Sequence, residues 1–363
     1  MSHSELLHCE DPRFAMAVTS LIERFLLLWL VLLSALAYVW PEWFSAGSDP
    51  FLATRPGLNW LFAVTMLAIG SLLPRDEIRQ VARRWPTVLG GTAVQYAAMP
   101  LLAFCFGRAL GLEGPMLTGL MLAGCVPGAM ASNVLTMMAR GNVSYSVSLT
   151  TSATLLSPIL VPAALWVTIG RQTEDFPTGA IMWQLCWMVV LPVVAGHLLS
   201  RVSRAWKAAA RHSGAIIANL AILWIIAVVV AKNRGNLAGL QPRLLLALLG
   251  LNLCGYAAGA VGGRTMRLAS AMRRALTLEV GMQNAGLGTV LAMDIFASEA
   301  ETAIAPALYT FGCMFTGTVL ARLWAEFGRS ETPLVGTEGR QTEGETEGLR
   351  EGERGRGGEG ESV

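Results

Sequence analysis

The chain has 363 residues, of which 53% are apolar and 14% charged, with a formal net charge of +2 and a mean hydropathy of +0.51. That balance excludes a soluble domain and marks a polytopic, all-α membrane protein. The charge is small and dispersed, with no basic stripe interleaved with aromatics, so the composition gives no sign of a nucleic-acid binder.

Residues 1–20 are mixed in charge and lead into an apolar run without a convincing cleavage site, so they read as a cytoplasmic N-terminal segment and the first span as retained. About ten apolar segments follow, at 21–40, 57–73, 86–107, 115–138, 144–169, 178–200, 214–232, 243–263, 272–297 and 302–326. The second, sixth and eighth connections are the basic ones. They carry Arg75, Arg79, Arg83 and Arg84, then Arg201, Arg204, Lys207 and Arg211, then Arg264, Arg267, Arg273 and Arg274. Positive residues stay inside, so both termini are expected in the cytoplasm of a multi-pass protein of the inner (plasma) membrane. Trp40, Trp43, Trp60, Trp85, Trp166, Trp206 and Trp324 fall near segment ends, where an interfacial belt would place them. The six cysteines are scattered singly, without metal-ligand spacing, and read as small free hydrophobes. From Gly328 onward the chain is Gly, Glu, Thr and Arg with "TEG" three times, and 328–363 is expected to be a disordered cytoplasmic tail. The transporter domain is then 21–327.

Within the fourth segment, "GCVPGAMASN" at 124–133 puts Pro127 between two glycines. Pro127 removes a helix hydrogen bond and crowds the preceding turn, and Gly124 and Gly128 let the chain unwind. Backbone groups freed at membrane depth are tolerated only where a cavity or an ion receives them. Pro86 before the third span and Pro242 before the eighth differ by 156 in number, and the same offset carries Gly128 to Asn284 within "LEVGMQNAGLG". Two interrupted spans therefore match in two five-span halves, about 21–169 and 178–327. Five being odd, the second half enters from the opposite face, and the halves are inverted repeats with the binding site at the interruptions.

The segments "GCVPGAMASNVLTMMARGNVSYSVSLTTSATLLSPIL" and "LTLEVGMQNAGLGTVLA" resemble the two signature segments of the bile acid:sodium symporter family, and "GGTAVQYAAMPLL" resembles its third helix. The resemblance covers roughly 20 to 327. It implies ten helices in a panel domain and a core domain, with helices four and nine broken and crossing near the bilayer middle. It also implies sodium-coupled symport of a small organic anion by alternating access, with two coupling sodium ions, no nucleic acid and no obligatory protein partner.

The same resemblance assigns sodium site 1 to Ser132, Asn133, Ser146, Thr150 and Glu279, and site 2 to Gln95, Glu279, the carbonyls of Val280 and Met282, and Gln283. A hard cation takes carboxylate, amide, hydroxyl and carbonyl oxygens, and Ser146 and Thr150 share one helix face at i and i+4. Glu279 is the one carboxylate central in a span, where a charge costs roughly 2.5–3.5 kcal/mol on insertion scales. Taken singly, Gln95 also reads as interhelical glue, and Ser146 or Thr150 as bonded back to their own helix. Asp294 reads as interfacial, His197 as a snorkelling or neighbour-bonded histidine or else a proton relay, and Met137 and Met138 as packing.

For the substrate, the resemblance implies a head group near Met130 and Ala131, near Asn284, and near Cys313 and Met314. Many relatives have Thr at the first position and Trp-His-Asn in helix ten, where this chain has Gly312-Cys313-Met314. That departure argues against a bile acid. Neither HExxH nor paired intramembrane aspartates appears, so no enzyme is expected. A proton-coupled carrier or exporter using Glu279, or a sodium-gated sensor that does not transport, stays open beside the symporter.

Overall fold

The computed structural model describes residues 25–44, 49–74, 81, 83–170, 176–237 and 239–327. The N-terminal segment up to 24, Arg75 and Arg79, and the tail 328–363 lie outside the described residues. By contact the chain divides into Met1–Ala325 and Glu326–Val363; of the second unit only Glu326 and Phe327 are described.

Twelve helices carry the fold. They are α1 Leu26–Trp43, α2 Leu58–Leu72, α3 Trp85–Ala109, α4 Gly114–Cys125, α5 Ala131–Met138, α6 Val143–Thr168, α7 Thr178–Val202, α8 Arg204–Lys232, α9 Pro242–Thr265, α10 Ser270–Gly281, α11 Ala285–Ile295 and α12 Ile304–Phe327. Among the described residues seven helices are long and apolar enough to cross a membrane: α1, α3, α6, α7, α8, α9 and α12 with its leading turn.

Helix starts follow local chemistry. α3, α4 and α9 each place a proline in the first turn, where the missing N–H would have no helical partner anyway. Asn142 caps α6 by accepting from Tyr145 N at 2.9 Å, and Ser203 caps α8 by accepting from Trp206 N at 3.1 Å. That cap explains why α8 begins at Arg204 rather than at 214. Its polar first turns extend beyond the apolar stretch that hydropathy detects. α7 contains a π turn over Cys186–Val190, directly before Pro192, whose ring cannot donate and crowds the preceding turn.

α1, α2, α8 and the second half of α7 pack on one another, while α3, α4, α5, α6, α9, α10 and α11 form a second group. α12 joins the second group through Thr316, whose hydroxyl donates to Asn252 Oδ1 on α9 at 2.6 Å. α2 and α7 meet through small residues: a Cβ on Gly70 would lie 2.2 Å from Val193 O, and one on Gly196 would lie 2.2 Å from Leu67 O. Such backbone-to-backbone contact is how apolar helices gain packing energy where lipid removes the hydrophobic drive.

Pro41 lies inside α1 and cannot bond Ala37 O, four residues back. The Arg234 guanidinium takes over that carbonyl, with Nε donating at 2.8 Å and a second nitrogen also in contact. Arg234 also pairs with Asp49 at 2.7 Å. Asp49 in turn caps the short helix Pro50–Ala53, accepting from Phe51 N at 2.9 Å and Leu52 N at 3.2 Å.

Candidate functional site

The two interruptions meet. α4 stops at Cys125, and Val126 is extended at φ −72°, ψ 159°. α10 stops at Gly281, and Met282 is extended at φ −112°, ψ 98°. The freed strands run antiparallel as a bridge between Gly128 and Gln283. Ala129 N donates to Met282 O at 2.8 Å and Asn284 N donates to Pro127 O at 2.7 Å. This reciprocal pair satisfies groups that neither broken helix could satisfy alone. The bridged partner of Gly128 is Gln283, one position before the Asn284 that the offset of 156 matches to it. Gly281 O is held from two further helices, by Asn252 Nδ2 and by Tyr309 OH, each at 2.8 Å.

Glu279, in the last turn of α10, is wholly buried. Its Oε2 accepts from Ser132 Oγ on α5 at 2.5 Å, and its Oε1 accepts from Thr150 Oγ1 on α6 at 2.7 Å. Gly128 leaves room beside the carboxylate: a Cβ there would lie 2.0 Å from Glu279 Oε1. Ser146 Oγ lies 3.2 Å from Thr136 Oγ1, and Thr150 Oγ1 also reaches Ser146 O at 3.1 Å. Asn133 Oδ1 is buried without a hydrogen-bond partner among the described residues. Ser132, Ser146, Thr150 and Glu279 are thus brought together, with Asn133 next to Ser132 on α5. Thr136 belongs to the same group and was not foreseen; its spacing of four from Ser132 on one helix face was the available signal.

On the second set, Gln95 Nε2 donates to Gln283 Oε1 at 3.2 Å, and Gln283 Nε2 donates to Val280 O at 2.7 Å. Met282 O carries the bond from Ala129. A carbonyl oxygen has two lone pairs, so Val280 and Met282 each keep one.

The donor set fits a hard monovalent cation. A hydroxyl that gives its proton to Glu279 still turns oxygen lone pairs toward the space beside it. The unpartnered Asn133 Oδ1 is a buried acceptor of the kind a cation satisfies.

Beside the crossing lies a cavity of about 260 Å³. One wall comes from α1, α2 and α8, with Leu30, Met66 and Ile222; the other comes from the two interruptions and α12. Met130, Ala131, Asn284, Cys313 and Met314 all line it. Asn284 caps α11, its Oδ1 accepting from Leu287 N at 3.2 Å. Met130 gives α5 no side-chain cap. Two helix N-termini therefore face one space, a placement that favours the negative end of a ligand.

The remaining expectations divide. Asp294 is exposed, as an interfacial residue would be. His197 neither snorkels nor bonds a neighbour: it is 5% exposed, and both ring nitrogens lack partners among the described residues. Met137 and Met138 do not pack inside but stand exposed on α5.

A family model described as the sodium bile acid symporter family matches residues 60–240. The chain is 30% identical over 304 residues to the sodium-dependent transporter YocS of Bacillus subtilis, covering 82% of this chain and 90% of that one. It is 29% identical to the probable sodium/metabolite cotransporter BASS1, chloroplastic, of Arabidopsis thaliana, over 80% of this chain and 74% of that one. With sodium/bile acid cotransporter 4 of Homo sapiens the identity is 26%, over 63% of this chain and 53% of that one.

Proposed function

The chain belongs to the sodium bile acid symporter family, and from that premise we propose a secondary active transporter that uses two sodium ions to move a small organic anion by alternating access. It is a sodium-coupled membrane transporter, not an enzyme. In the finer reading the protein crosses the membrane ten times: seven long helices, α2, and the two broken pairs α4–α5 and α10–α11. The two five-span halves are inverted repeats. The group α1, α2, α7 and α8 is the panel, and the remaining helices are the core. The basic connections place both termini in the cytoplasm of a plasma-membrane protein.

The observation that carries this reading is Glu279, a wholly buried carboxylate whose oxygens are met by Ser132 and Thr150 from two other helices. A bare charge at that depth costs several kcal/mol unless a counter-charge arrives. Sodium at Ser132, Asn133, Ser146, Thr150 and Glu279 supplies one. A second ion at Gln95, Gln283 and the carbonyls of Val280 and Met282 shares the same carboxylate. Both ions draw α5 and α10 together, so each favours the other and both favour the anion at the helix N-termini beside them.

The test is the melting temperature of the purified protein in sodium chloride against potassium chloride at fixed pH. A ligand that binds the folded state raises stability as RT ln(1 + [L]/Kd). The wild type is expected to melt several degrees higher in sodium, and Glu279→Gln to melt equally in both salts. A Glu279→Gln protein that keeps the full sodium effect would overturn the role of this carboxylate.

A further inference from the structure

The central cavity has two unlike walls. From α5, the interruption before α11, and α12 it receives Asn133, Gln283, Asn284 and Thr310. From α1, α2 and α8 it receives leucines, isoleucines, methionine and alanines, and among the described residues a single polar one, Asn219 on α8. An asparagine within a membrane helix ordinarily bonds a neighbouring helix, because a free amide in an apolar medium costs free energy. Asn219 does not do this: among the described residues its side chain has no hydrogen-bond partner. It is half-buried and faces the cavity. Asn284 lines the other wall, with Oδ1 engaged by Leu287 N and Nδ2 without a partner among the described residues.

We propose that Asn219 is a specificity-determining residue, which reads a hydrogen-bonding group of the transported anion other than its carboxylate, a hydroxyl or carbonyl on the carbon skeleton. The inference rests on the transporter reading above. A carboxylate settles at the end of the cavity where the N-termini of α5 and α11 and the Asn284 amide present N–H groups. The rest of the molecule then lies against α1, α2 and α8. There Leu27, Leu30, Met66 and Ile222 offer only apolar contact, and Asn219 is the one side chain on that wall that both donates and accepts. A hydroxyl or carbonyl that reaches it satisfies both partners, whereas an anion lacking that group leaves a desolvated amide unpaired. A site built in this way discriminates against the bare analogue more strongly than an apolar wall discriminates by size. The bond also spans the two helix groups, with the carboxylate on one and the hydroxyl on the other, so the cargo itself ties the groups together.

The experiment measures sodium-dependent binding of matched carboxylates, by thermal shift and by competition, on full-length wild type, Asn219→Leu and Asn219→Asp. The probes are butanoate with 3-hydroxybutanoate, 3-methylbutanoate with its 2-hydroxy and 2-oxo derivatives, and hexanoate with 6-hydroxyhexanoate. In at least one pair the wild type is expected to favour the oxygenated member by about tenfold or more. Asn219→Leu, close in size and at home in a helix, should remove that preference by weakening the oxygenated acid and binding the bare acid more tightly than the wild type does. Asn219→Asp, which sets a carboxylate against an anion, should weaken every probe and leave the melting temperature without probe nearly unchanged. Retention of the preference by Asn219→Leu, or a wild-type preference for the bare acids, would overturn the inference while the sodium-coupled reading stands. Binding that does not depend on sodium in any variant would count against that reading and this inference together.

Discussion

At Glu279 a wholly buried carboxylate has hydroxyls for neighbours. Ser132 and Thr150 donate to its two oxygens, and Gly128 leaves the adjoining space open. That vacancy is specific to glycine, because any Cβ would press on Oε1 at 2.0 Å. Gly128→Ala is therefore expected to displace the carboxylate and abolish sodium-dependent stabilisation, with loss of most transport. Gly179→Ala, where a new methyl meets nothing within 4 Å, should leave both unchanged. Melting curves in sodium and potassium check the pair. Glu279 was legible in the sequence as the one carboxylate central in a span, whereas the other oxygen ligands proposed around it came from the family resemblance, with which a hard cation's preference for oxygen agrees. Thr136 was visible only by its spacing from Ser132. Asn252 and Tyr309 were not visible, because they act on a backbone carbonyl, and nothing in their own neighbourhood announces a partner almost thirty positions away, at Gly281.

Among the elements, the interruption of the fourth segment announced itself through Pro127 and its glycines, and that of the ninth through the offset that carries Gly128 to Asn284 in a glycine-rich stretch. The structure adds how they are tolerated: two extended stretches bond to each other through Ala129, Met282, Asn284 and Pro127. Less visible was the repair of α1. Pro41 leaves Ala37 O without a helical donor, and Arg234, far along the chain, supplies one while pairing with Asp49. Sequence shows that a proline frees a carbonyl but not which distant side chain answers. Arg234→Met should leave both an orphan carbonyl and an unpaired acid, at a cost of about 1–3 kcal/mol. A lowered melting temperature with an intact sodium response is the expected result, measured by thermal unfolding in both salts. The π turn before Pro192 and the early start of α8 escaped hydropathy for a shared reason. Hydropathy records where the chain is apolar, whereas caps and bulges are set by single residues at helix ends.

For the whole molecule, orientation is proposed to rest on the basic second, sixth and eighth connections and selectivity on the unlike walls of the cavity. A cysteine introduced at Arg204, in the basic junction of α7 and α8, should react with an impermeant thiol reagent only from the cytoplasmic side. Labelling from outside intact cells would contradict the cytoplasmic placement of that junction. Coupling is the central claim. For a monovalent anion carried with two sodium ions, one positive charge enters in each cycle, so transport responds to membrane potential as well as to the sodium gradient. The most direct measurement is the current from proteoliposomes on a solid-supported membrane when sodium and a carboxylate such as 3-hydroxybutanoate or 2-oxo-3-methylbutanoate are supplied together at constant pH. An inward positive current that needs both sodium and the acid, and that vanishes in Glu279→Gln, is the predicted result; a current that follows a proton gradient and persists without sodium would contradict it.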